Sequence, residues 1–205
     1  GLMLLYMLMV GGGLLVFGVH EAPGEATRHA AFQVASFGTG TGLTSTNAAA
    51  WPGFIPLLLV FTSFIGGCAG STAAGMKVVR AALVFRHSIR ELRRLIYPNG
   101  VFALRFGKHV VNDRVLQAVW GFVGVYITLS VIFTLLFTTT GMDLTTAVSA
   151  VAASINNLGV GIGQVGGGFA NITDSAKWMM TLLMLLGRLE IFTFLVLFTP
   201  LFWRQ

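Results

Sequence analysis

Twice along its 205 residues this chain repeats one order of segments: an apolar run, a polar loop, an apolar segment too short to cross a bilayer, a glycine-rich turn and a second apolar run. Crossing the hydrocarbon core takes about 20 apolar residues in a helix, and apolar segments of about 10 to 14 are candidates for re-entrant helices. In the first half the run 1–19 leads to the short segment 27–37, the Gly/Thr-rich stretch 38–44 and the run 51–65. In the second half 115–137 is of spanning length, 144–155 is short, 156–168 is rich in glycine, and 177–203 reads as a long apolar helix. The topology recurs although residue identity between the halves is poor.

Hydrophobic residues make up 55% of the chain and charged ones 10%, against about 25% charged in a soluble domain, which excludes a soluble fold. A single cysteine, Cys68, excludes an internal disulfide. The net charge of +6 suggests nucleic acid only if spread over a soluble surface. Instead, nine of the thirteen Lys and Arg residues lie between Lys77 and Arg114, which marks that stretch as cytoplasmic and argues against a nucleic-acid partner. It reads as an interfacial helix at lipid headgroups, compatible with a protein-docking surface. The loops at 21–47 and 143–174 carry Glu21, Glu25, Asp143 and Asp174 against Arg28 and face outward. Both halves then start inside, dip back from outside and return inside. Such parallel repeats describe a pore, whereas many secondary transporters use inverted ones.

Bare backbone sits at membrane depth only when buried in protein or lining water. The turn Gly38-Thr39-Gly40-Thr41-Gly42-Leu43-Thr44 offers backbone carbonyls and threonine hydroxyls, and Asn156-Asn157-Leu158-Gly159-Val160-Gly161 offers carbonyls and amides. Rings of neutral oxygens replace the hydration shell of a monovalent cation, and glycine lets successive carbonyls turn toward one axis. Divalent sites usually add carboxylates. A second reading is that these glycines only permit close helix packing. The run Gly161-x-Gly163-x-x-Gly166 matches a dinucleotide fingerprint, but that motif needs a preceding strand, and here an apolar half-helix precedes it. Asn171-Ile-Thr173 is a glycosylation sequon only in a eukaryotic secretory pathway.

Residues 66–75 are all small, with glycine at Gly66, Gly67, Gly70 and Gly75. Each glycine weakens a helix by about 1 kcal/mol, so this segment is expected to be unwound or hinged on the cytoplasmic side of the pore. Small-residue packing from Gly66 to Gly70 is the alternative. Arg188 and Glu190 lie near the middle of the last apolar run, where ionisable side chains usually face the bundle interior or water. Carbonyls of 66–75 are candidate acceptors for Arg188, and a structural ion pair is the other reading.

The runs Ile65-Gly66-Gly67-Cys68-Ala69-Gly70-Ser71-Thr72-Ala73-Ala74-Gly75-Met76-Lys77, Asn156-Asn157-Leu158-Gly159 and Gly187-Arg188-Leu189-Glu190 resemble the Trk/Ktr/HKT potassium transporters over essentially the whole chain. The resemblance implies an all-α, K⁺ channel-like membrane protein of two parallel span, pore helix, filter loop, span repeats, corresponding to the third and fourth of the family's four. Residues 1–96 would be the third repeat with its cytoplasmic basic extension, 97–114 a cytoplasmic linker and 115–205 the fourth repeat. It implies potassium uptake across a bacterial inner membrane, with K⁺ as the ion, Rb⁺ as its surrogate, and no enzyme activity or organic cofactor. The filter would comprise Thr39, Gly40, Thr41, Gly42, Asn157, Leu158, Gly159, Val160 and Gly161, with K⁺ held through Thr41, Gly42, Leu158 and Gly159. The gate would comprise Gly66, Gly67, Gly70, Ser71, Gly75 and Arg188. The implied partners are membrane lipid, a preceding half carrying two more repeats, a second copy of the protein, and a cytoplasmic nucleotide-binding regulatory ring of the TrkA kind contacting 86–114.

The stretch departs from relatives at Gly38 and Gly40, where bulkier residues or threonine are more usual. Two repeats cannot close a four-sided pore, so the chain is expected to be the later part of a longer protein. The hydropathy also fits an ion-coupled secondary transporter or a non-conducting membrane subunit. A hydrolase using Ser71 would need a base, and His20, His29, His87 and His109 all fall in loop or interfacial segments.

Overall fold

Seven α-helices run through the described residues. The structure is a computed structural model describing residues 2–19, 22–67, 74–97, 100, 102, 104–106 and 109–189. In order, they are α1 (Leu2–Val16), α2 (Pro23–Thr39), α3 (Ile55–Phe64), α4 (Val78–Ile96), α5 (Asp113–Thr139), α6 (Leu144–Ile155) and α7 (Asp174–Arg188), with single 3-10 turns at Ala48–Ala50 and Gly163–Val165. Between α4 and α5 the described chain is not helical: β1 (Arg105–Phe106) pairs antiparallel with β2 (His109–Val110), Arg105 opposite Val110. Burial of Leu104 against Leu83, Leu116 and Val119 draws this linker onto α4 and α5.

The helix boundaries follow local chemistry. Pro23 opens α2 four residues earlier than the apolar pattern suggests, because proline suits the first turn where no N–H partner is needed. Pro56 does the same for α3, which has only 10 residues, shorter than the apolar run 51–65. Asn112 caps α5 by accepting from the Arg114 amide at 3.1 Å. Asp143 caps α6 by accepting from the Thr146 amide at 3.2 Å. Among the described residues, α5 alone is long and apolar enough to cross a membrane, at 27 residues; α1, α3 and α6 are shorter apolar helices. The expected helix 177–203 is described as far as Arg188, and its remainder from residue 190 lies outside the described residues.

Apart from the small cluster around Leu104, two larger hydrophobic cores form, one per half. The first joins α1, α2 and α3 through Val10, Leu14, Val34, Phe37, Ile55 and Leu59. The second joins α5, α6 and α7 through Tyr126, Phe137, Val151, Ile155, Met180 and Leu183. They interlock. Leu158, from the turn after α6, is buried in the first core, while Phe64 at the end of α3 and Met76 ahead of α4 pack on the second. Each half therefore supplies side chains that the other needs, so the turns and the residues flanking the break between α3 and α4 are placed by both.

Hydrogen bonds from the Thr146 hydroxyl and amide hold the Asp143 carboxyl below the usual carboxylate range. Because the folded value is depressed, the stabilisation is present above the unfolded carboxylate range and is lost as pH falls through the folded value. Thermal melting of the intact protein between pH 7 and pH 3 should show an acid-side loss that is smaller in Asp143→Ala. Equal acid sensitivity in the variant would contradict the cap.

Candidate functional site

The two glycine-rich turns leave their helices in the same way. At the end of α2, Gly40 takes the left-handed conformation (φ 73°), its N–H donates to the Phe37 carbonyl at 3.4 Å and the Thr41 N–H to the Ser36 carbonyl at 3.0 Å. At the end of α6, Asn157 is left-handed (φ 51°), its N–H donates to Ser154 at 3.0 Å and the Leu158 N–H to Ala153 at 2.8 Å. Both are Schellman closures, which use glycine or, less often, asparagine at the left-handed position. Two residues on, the backbone turns left-handed again, at Gly42 (φ 74°) and Gly159 (φ 82°). Geometry thus places Gly40 with Asn157, Thr41 with Leu158 and Gly42 with Gly159, a correspondence hidden by the lack of sequence identity.

The turns also lie against each other. A Cβ on Gly42 would fall inside the contact distance of the Leu158 carbonyl oxygen, and one on Gly40 would sit 3.7 Å from the Asn156 carbonyl. Thr39, Thr41, Leu43, Thr44 and Gly159 are exposed, whereas Leu158 is buried, Val160 half-buried and Gly161 pressed against Ser149 and Val165. The Leu158 side chain therefore serves the core, and what it can present is its carbonyl. Thr39 donates to the Ala35 carbonyl at 2.7 Å and lies 2.7 Å from the Thr41 hydroxyl. Both turns offer neutral oxygens only. Among the described residues no group of three or more His, Cys, Asp or Glu side chains could hold a metal ion.

Short polar side chains on the half-helices, which the sequence reading passed over, pin the turns. The Ser36 hydroxyl donates to the Leu43 carbonyl at 2.6 Å. Ser149 accepts from the Ile162 amide, Thr146 accepts from the Gln164 amide at 3.3 Å, and the Asn157 amide group donates to the Met184 carbonyl of α7 at 3.0 Å. The Gly161–Gly166 run is a 3-10 turn tied to α6, with no strand leading into it. The signal for these residues was serine and threonine inside otherwise apolar short helices, where each needs a backbone partner.

Asn156 is the buried hub. It accepts from the Tyr126 hydroxyl at 2.6 Å and donates to the Ser63 hydroxyl at 3.0 Å, and the Ser63 hydroxyl donates in turn to the Val60 carbonyl at 2.7 Å. One amide thereby joins the end of α6 to α5 and α3. The residues flanking the small-residue break are held by the same parts. Gly67 donates to the Gly38 carbonyl at 3.2 Å, Gly66 has no room for a side chain beside that carbonyl, and Gly75 (φ 84°) has none beside the Asn156 side chain. Gly70, Ser71 and Cys68 lie outside the described residues, as does Glu190, so the expected unwinding of 68–73 falls there too. Arg188 is exposed in the last turn of α7 beside Gly187, where a side chain would strike the Ile155 carbonyl. Of the 66–75 carbonyls expected as acceptors for Arg188, those of 68–73 lie outside the described residues.

Comparison with known proteins fits this geometry. The family model for TrkH, a cation transport protein, matches residues 4–204. The chain belongs to the TrkH family. The Trk system potassium uptake protein TrkH of Vibrio parahaemolyticus is 48% identical over 91% of this chain and 38% of its own length. That of Escherichia coli K12 is 47% identical over 85% of the chain and 36% of its own length, and TrkG of the same strain is 38% identical over 86% and 36%. The crystal structure of the potassium transporter TrkH from Vibrio parahaemolyticus superimposes with a TM-score of 0.91 at 46% identity, covering 98% of this chain and 43% of that one. The chain thus spans less than half the length of these family members.

Polar side-chain hydrogen bonds within a membrane typically contribute about 0.6 kcal/mol and at most about 1.7. A double-mutant cycle on the intact protein, combining Asn156→Leu with Tyr126→Phe, should give a coupling energy within that range in unfolding measurements. No coupling would show that the 2.6 Å contact does not hold α6 to α5.

Proposed function

We propose that this chain supplies two sides of a four-sided potassium pathway across a bacterial inner membrane, as part of a longer pore-forming subunit. The observation that carries this reading is the matched pair of turns, each closing a half-helix and each left-handed at Gly42 or Gly159, laid side by side with neutral oxygens exposed. Carbonyls of Thr41, Gly42, Leu158 and Gly159 would replace water around K⁺ as it passes. The flanking residues Thr39, Gly40, Asn157, Val160 and Gly161 set the turn geometry. The relatives are named for potassium uptake, and the oxygen chemistry of the turns suits a monovalent ion.

Below these turns the segment containing Gly66, Gly67, Gly70, Ser71 and Gly75 would act as a gate, with Arg188 placing a positive charge in the path of a cation. Its described flanks are anchored to Gly38 and Asn156, so a movement of the segment would be felt at the ends of both half-helices. In this reading two further repeats complete the ring, a second copy forms a dimer, and a cytoplasmic nucleotide-binding ring docks on the basic surface from Arg86 to Arg114. Residues 1–96 and 115–205 act as the two repeat units, and 97–114 joins them on the cytoplasmic side.

Rubidium uptake by proteoliposomes of the intact protein should rank three substitutions. Gly42→Ala collides with the Leu158 carbonyl and should abolish uptake. Gly159→Ala has open space but a left-handed backbone, a penalty of about 1–2 kcal/mol, and should reduce uptake less. Gly12→Ala in α1 meets nothing and should leave uptake unchanged. Wild-type uptake by folded Gly42→Ala would overturn the filter reading. In the same assay, Arg188→Gln should raise basal flux if the arginine helps close the path, and unchanged flux would remove it from the gate.

A further inference from the structure

A groove of about 650 Å³ runs along the seam between the two halves, lined by Phe61, Phe64 and Ile65 from α3 and its end, Met76 ahead of α4, and one side of α5 from Val123 to Leu135. Its size falls in the range of about 300–1,000 Å³ typical of ligand pockets. Three of the four hydroxyls along it are already used, Tyr6 being the fourth. Tyr126 donates to Asn156 at 2.6 Å, Ser130 to the Tyr126 carbonyl at 2.8 Å and Thr134 to the Ser130 carbonyl at 2.8 Å. An occupant therefore meets an apolar wall, and a polar guest would lose water without compensation. The α5 side extends for about 18 Å at 1.5 Å per residue, close to the roughly 15 Å of hydrocarbon in one leaflet.

No cation lines the groove itself, but two lie near one end of it. Met76 is followed by Lys77, and the Arg80 guanidinium stacks 4.1 Å above the ring of Phe122, next to Val123 on the groove wall. Beyond Arg114, α5 carries no cation along its length. We propose that this groove holds an acyl chain of an anionic phospholipid, with its phosphate against Lys77 and Arg80. The occupant's length matches the groove, its tail matches the wall, and its charge matches the end near Lys77 and Arg80. Basic side chains attract anionic headgroups, which gives the headgroup a reason to choose this end. The site rests on the membrane reading above and not on the filter. It touches Ile65 and Met76, which bracket the 66–75 segment, so an occupied groove would constrain where that segment starts and ends.

The test uses the intact protein in nanodiscs with a phosphatidylglycerol carrying a photoreactive diazirine midway along one acyl chain, and locates adducts by mass spectrometry, a readout independent of ion flux. Adducts should concentrate at Phe64, Met76, Ile127 and Val131 over the exposed residues Leu4 and Leu8 of α1. Unlabelled phosphatidylglycerol should compete at about tenfold lower mole fraction than phosphatidylcholine. The pair Lys77→Gln and Arg80→Gln should abolish that preference and leave labelling in place, while Val131→Trp should remove labelling at Phe64. Uniform labelling over the apolar surface would overturn the proposal. So would equal competition by both lipids in the unaltered protein, or protein crosslinks showing that a second copy covers the groove.

Discussion

Backbone that leaves a helix at membrane depth must find its hydrogen bonds inside the protein, because lipid supplies none. Under the proposed membrane reading, that constraint accounts for the polar groups gathered around the two turns. α2 and α6 each end in a turn that is supplied with partners from close by. Ser36 reaches forward to Leu43, Ser149 and Thr146 reach forward to Ile162 and Gln164, and Asn157 reaches across to α7. Neither turn leaves its shape to flexible glycine. The glycines allow the conformation, and the serine, threonine and asparagine side chains select it.

Close packing and polar satisfaction converge on Asn156. Its side chain bonds to α5 and α3, its neighbour Asn157 closes α6 and bonds to α7, and Gly75 fits against it with no space for a Cβ. Leu158, the next residue, crosses into the core of the other half. A residue flanking the break between α3 and α4 therefore lies directly against the residue that ends α6.

Much of this was legible in the sequence. The bounds of α6, 144–155, are those of the short apolar segment, and the structure adds Asp143 as its cap. Gly42 and Gly159 entered the filter through the family resemblance, and the structure gives both the same backbone hand. The start of α2 was hidden because Pro23 and Gly24 read as loop, and its last turn because Gly38 read as a breaker. The roles of Ser36, Ser63, Tyr126, Ser149 and Asn156 were not visible, since each depends on a partner far along the chain or on the path of a turn. The hairpin at 105–110 was missed for a related reason: Leu104 joins a small core made with α4 and α5, and no local pattern announces it.

The central claim is that the turns after α2 and α6 face one ion path. Anomalous diffraction from crystals of the intact protein grown in thallium or rubidium tests it most directly. The account predicts a peak within coordination distance of the carbonyls of Thr41, Gly42, Leu158 and Gly159. Anomalous density confined to carboxylates such as Asp143 or Asp174, with none before the turns, would contradict it.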